Sequence, residues 1–119
     1  MAINEQSRQL DIAREVEELT RTLAHSTGTV PTPADSYPML GELHTAVDHL
    51  AQVTRQLASW HRQTKDGTDY DGEDGGKIGS PQAAAADLDT AGRHLDQAVQ
   101  AILSAHGHNS VVRWYRERR

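Results

Sequence analysis

Three stretches of the chain, at 12–23, 40–60 and 84–102, repeat apolar residues at alternating steps of three and four. That spacing places them on one side of a helix, so each stretch is expected to bury a stripe against a neighbour. The pattern predicts an all-α fold, an antiparallel up-and-down three-helix bundle over about 4–26, 36–63 and 81–106 with a short C-terminal helix.

The boundaries follow from local chemistry. Asn4 is placed to cap the first helix, with Glu5 near its positive end, and Ile12, Val16, Leu19 and Leu23 form the stripe, widened by Leu10 and Ala13. Gly28, Pro31 and Pro33 stop it, because proline donates no amide and restrains its predecessor. Asp35 or Ser36 is expected to cap the second helix, and Pro38 is tolerated in a first turn. Its stripe reads Leu40, Leu43, Val47, Leu50, Val53, Leu57 and Trp60, about 30 Å long at 1.5 Å per residue. Residues 65–80 hold five acidic residues and five glycines, which predicts a flexible acidic loop. Ser80 and Pro81 then read as cap and first-turn residue of the third helix, with Leu88, Ala91, Leu95, Ala98 or Val99, and Ile102 as its stripe and Gly107 as a left-handed stop. A last short helix carrying Val111, Val112, Trp114 and Tyr115 is expected within a basic aromatic tail at 109–119.

A length of 119 residues with no composition break reads as a single helical-bundle domain, 1–119. The chain has no Phe and only five aromatic residues, so its core must come from Leu, Val, Ile and Ala. Such a core buries little area per residue, which makes self-association into a homodimer physically attractive. The absence of cysteine excludes disulfides, thiolate catalysis and sulfur-ligated zinc. No basic start precedes an apolar run, and no stretch has the length of a membrane span, so a cytoplasmic location is expected.

Charge is unevenly placed. The last eleven residues carry four arginines against Glu117, a balance of +3, which leaves −8 for the remainder of a chain whose formal charge is −5. An acidic body does not suit broad contact with phosphates, so only the tail could touch nucleic acid.

Candidate chemistry is sparse. His25, His44 and His106, with His108 beside the last, fall toward one end of the expected bundle, and His44 with Asp48 stands at a helical step of four. This gives a metal-binding alternative with an enzymatic or sensor role, set against histidines that interact with helix-end carbonyls. The run from Asp69 to Asp74 has calcium-loop composition but the wrong register, since Asp74 falls where glycine is needed and Ser80 where the final glutamate belongs. Glu15 and Glu18 form an E-x-x-E pair similar to that which holds magnesium in all-α nucleotide pyrophosphatases of the MazG family. The second pair is missing, because Thr45 stands three residues after Glu42, and the glutamates read as a charged outer face. No serine lies in a nucleophile turn, and the glycine-rich loop is acidic and would repel phosphate.

No catalytic or cofactor-binding residue is therefore assigned, and the expected function is non-enzymatic. The chain reads as an interaction or accessory protein acting through self-association and a protein partner. Trp114, Tyr115, Arg113, Arg116 and Arg118 are the candidate partner-binding residues, because aromatics and guanidinium groups supply large contact areas.

Overall fold

The computed structural model describes residues 5–74 and 78–119. It is all-helical, with α1 at Gln9–Ser26, α2 at Ser36–Gln63 and α3 at Ser80–Asn109. Short 3₁₀ turns at Gln6–Arg8 and Pro33–Asp35 precede the first two. Two compact units divide the chain. One holds the residues up to Asp35 together with Trp114–Arg119; the other is Ser36–Arg113.

In the first unit α1 starts later than the sequence suggests, and Asn4 lies outside the described residues. The amide of Arg8 donates to the Glu5 carbonyl at 3.0 Å, which closes a tight turn before the α-helix proper. The Arg8 guanidinium strengthens that turn by donating to the Glu5 carboxylate at 2.9 Å and to Glu15 at 3.4 Å. α1 ends where the amide and hydroxyl of Thr27 both donate to the Leu23 carbonyl. Its stripe is not buried as expected: α1 contains no buried residue, and Leu10, Val16, Leu19 and Leu23 are exposed. Among its described residues this unit holds no second α-helix against which a stripe of that length could close.

The second unit is built on α2 and α3, which pack along their length. Asn109 Nδ2 donates to Ser36 Oγ at 3.1 Å, Arg55 donates to Asp96 at 3.1 Å, and Arg62 donates to Asp89. The beginning of one helix therefore lies with the end of the other, and the pair is a helical hairpin. Its seam is made of small residues. Ala51 and Ala58 on α2 and Ala85, Gly92 and Val99 on α3 are the buried residues of these helices, each row stepping by seven. Steps of seven keep a row facing one neighbour when two helices wind round each other, and small side chains let the backbones approach. Leu88, Leu95 and Ile102 are half-buried beside the α3 row, as their periodicity requires.

The stripe expected on α2 splits. Leu40 and Val47 are half-buried in the rhythm of the seam, whereas Leu43, Leu50, Val53, Leu57 and Trp60 stay exposed. The seam takes the less hydrophobic row, Leu40, His44, Val47, Ala51, Thr54, Ala58 and His61, because a close crossing has room for alanine and not for leucine. Among the described residues no large side chain is fully buried.

α3 is longer at both ends than expected. Gly79 adopts a left-handed φ of 103°, and the Glu73 carboxylate accepts from the amides of Gly79 at 3.0 Å and Ser80 at 3.2 Å. Glu73 thus meets the first free amides of the helix, the role expected of Ser80. At the other end Gly107 is helical and not a left-handed stop, so the helix runs to Asn109. The expected short C-terminal helix is absent. Residues 110–119 contain only turns and irregular backbone; Ser110 donates its amide to His106 and Gly107, and Val112 to Asn109. Two consecutive β-branched valines and too few following residues leave nothing to nucleate a new helix.

Candidate interaction surfaces

The hairpin has two unlike flanks. Arg55 and Arg62 stand four residues after the buried Ala51 and Ala58, and their partners Asp89 and Asp96 stand four after Ala85 and Gly92. These pairs mark one flank of the seam as charged. Residues one step before the seam positions must line the other flank: Leu43, Leu50 and Leu57 on α2, and Ala84, Ala91 and Ala98 on α3. The leucines are 37%, 37% and 45% exposed, and Val53 and Trp60 extend the apolar surface round α2 at 47% and 55%. Together these side chains leave on the order of 500 Å² of apolar surface in water, within the range of the largest apolar patch on a typical monomer, which is often functional.

At the end of the hairpin where α2 begins, the histidines are partly gathered. The His106 ring stacks on Tyr37 at 4.1 Å between centroids and 12° between planes, and His44 is tilted beside it at 6.0 Å. Gly41 lies beside this stack, and a Cβ there would stand at an ordinary contact distance of 3.4 Å from His106 Nε2. Asp48 lies one turn along α2 and is exposed, and His25 belongs to the last turn of α1, in the other unit. Among the described residues no group of three His, Cys, Asp or Glu side chains is arranged to hold a metal ion. The Tyr37 stack was invisible in the sequence, because nothing there announces that residues 69 positions apart will meet.

The tail residues are exposed, but they do not form one set. Trp114, Tyr115, Arg116 and Arg118 belong to the first unit and Arg113 to the second. In the first unit the Tyr115 carbonyl accepts from the Ala34 amide at 3.1 Å, which ties the tail backbone to the 3₁₀ turn before α2. The Arg119 guanidinium lies 4.1 Å over the Tyr115 ring, a cation–π contact that holds the aromatic plane and a positive charge together.

The acidic stretch is internally bonded over its described part. Lys65 donates its amide to Asp69, Gly67 to the Tyr70 carbonyl at 2.7 Å, and Gly72 to the Asp66 carboxylate. The Tyr70 phenol is pushed above its ordinary value by desolvation first and then by Asp66, Glu73 and Asp69. Glu73 is held below the usual carboxylate range by the Ser80 hydroxyl first and then by the Gly79 amide. Hydrogen bonds to helix-start donors explain both the shift and the cap. Glu15 accepts from Arg8, so the E-x-x-E pair on α1 is in part an ion-pair element.

No helix among the described residues is long and apolar enough to cross a membrane. Set against protein families, curated proteins and solved structures, the chain has no match.

Proposed function

We propose that the chain is a non-enzymatic, cytoplasmic interaction protein that works by presenting helix faces and an aromatic, arginine-bearing tail to protein partners, a second copy of itself included. One observation supports this reading above the others: the distribution of side-chain size is inverted. Alanine and glycine fill the seam, while Leu43, Leu50, Leu57, Trp60, Trp114 and Tyr115 are all exposed by more than a third. A chain that leaves its largest apolar groups in water carries a standing free-energy cost that association would remove. Tryptophan, tyrosine and arginine are also the residues on which binding energy concentrates at interfaces.

The test compares the full chain with one lacking 111–119 in co-purification from the native host, with helicity measured on both. Weakened association with unchanged helicity is the expected result. Loss of folding on deletion would give the tail a structural role instead, and equal capture by both forms would remove it from the interface.

A further inference from the structure

We propose that the apolar flank of the α2 and α3 hairpin is a dimer seam on which α2 of a second copy of this chain lies antiparallel. This rests on the interaction reading above and gives one of its faces a partner.

The first argument is periodicity. Leu43, Ala46, Leu50, Val53, Leu57 and Trp60 follow steps of three, four, three, four and three, and all are exposed. This is a complete second heptad pattern on α2, separate from the row that meets α3. Seven-residue repeats fit the ridges of another helix, so the occupant is helical. The pattern spans 43–60, about 27 Å at the rise of an α-helix.

The second argument is self-complementarity. Laid antiparallel about a twofold axis between residues 51 and 52, the row pairs Leu43 with Trp60, Ala46 with Leu57, and Leu50 with Val53 of the second copy. Each layer then occurs twice, and the smallest residue meets a long one. Parallel pairing would instead set Ala46 on Ala46, leaving a void, and Trp60 on Trp60, crowding the end. A surface that matches its own inverse is what a closed two-fold interface requires.

Charge fits the arrangement. On the side away from α3 the positions flanking the row are Glu42, His49 and Gln56, and on the other side Val47, Thr54 and His61, so the one formal charge beside the row lies at its end. In the antiparallel arrangement the two Glu42 side chains stand about 28 Å apart, beyond the screening length at physiological salt. The exposed apolar surface of α2, with the half-buried Ala84, Ala91 and Ala98 row beside it, fits a small interface, below the roughly 800 Å² per partner of standard size.

The test is sedimentation equilibrium of the full chain from low to high micromolar concentration, with helicity followed by circular dichroism. The seam predicts twice the 13.1 kDa of one chain, a fall to one chain in Leu50→Glu, and no change in helicity, since Leu50 is outside the row that meets α3. Because the chain has no cysteine, orientation is read by oxidising Leu43→Cys and Trp60→Cys proteins. A mixture cross-links and either alone does not.

A dimer that survives Leu50→Glu and dissociates in a Trp114→Ala, Tyr115→Ala variant overturns the seam and leaves the interaction reading intact. A chain that is monomeric throughout overturns the seam, most directly if Leu50→Glu also lowers its Tm, which would assign the face to another part of the same chain. Cross-linking of either single variant with itself overturns the antiparallel arrangement.

Discussion

Thr54 of α2 stands directly over Gly92 of α3: a Cβ at 92 would come within 3.1 Å of the Thr54 hydroxyl, which is itself bonded to the Ala51 carbonyl at 2.7 Å. The helices approach closely here, and the contact sets two opposing terms. Alanine for glycine in a helix interior gains about 1 kcal/mol of propensity, while the short contact forces Thr54 to shift and strains its hydrogen bond. Gly92→Ala alone is therefore expected to change stability little, and in a Thr54→Ala background to stabilise by about 1 kcal/mol. Gly92→Leu should destabilise by about 1–3 kcal/mol. Urea unfolding of the parent, Gly92→Ala, Thr54→Ala and the double variant forms a double-mutant cycle whose coupling term checks the account.

The small-residue seam implies that enlarging a residue costs more than truncating its larger neighbour. Ala58 is fully buried and Leu57 beside it is 45% exposed. Ala58→Leu should lose about 1–3 kcal/mol by overpacking, whereas Leu57→Ala should lose less than about 1 kcal/mol in the monomer. The reverse order in thermal unfolding would show that the leucine row, and not the alanine row, is the core.

On the charged flank, Arg62 and Asp89 are both partly exposed, as are Arg55 and Asp96. Each pair is expected to contribute about 0.2–1 kcal/mol and to weaken with salt. Asp89→Arg should lower Tm, and adding Arg62→Asp should restore most of the loss. Failure of the second change to rescue would mean that the pairing adds nothing to the hairpin.

At the start of α3, Glu73 should act as a pH-dependent cap. Its folded value is depressed below the reference of 4.5, so its contribution is complete above about pH 4.5 and is lost as pH falls through the lowered folded value. An NMR titration of the Gly79 and Ser80 amides should inflect on the acid side of 4.5. Ser80→Ala should move that inflection upward, because the Ser80 hydroxyl is the largest cause of the depression.

How much was legible in the sequence varies with the physics involved. The start of α2 at Ser36 and its end at Gln63 were readable, because capping residues and proline act locally. Which side of α2 meets its partner was not. Two apolar rows lie one residue apart on that helix, and the choice between them depends on how closely the helices approach. Hydrophobicity alone selects Leu50 and Leu57; the crossing selects Ala51 and Ala58, with Gly92 opposite. The cap by Glu73 was hidden for a similar reason, since it reaches the helix start from six and seven residues away. Of the candidate site, even the exposure of Trp114 and Tyr115 required the fold, because a basic end does not decide whether its aromatic residues pack or face water. The Arg119 contact and the bond from Ala34 to Tyr115 required the fold.

The unlike flanks of the hairpin also bear on how large an assembly can grow. Ion pairs hold one flank wet, so each hairpin offers a single adhesive side. In the proposed dimer the two hairpins would cover each other's leucine face and turn their ion-paired flanks outward. The arginines and aspartates that brace the two helices would then give a further hairpin charge, and not leucine, to meet on that flank.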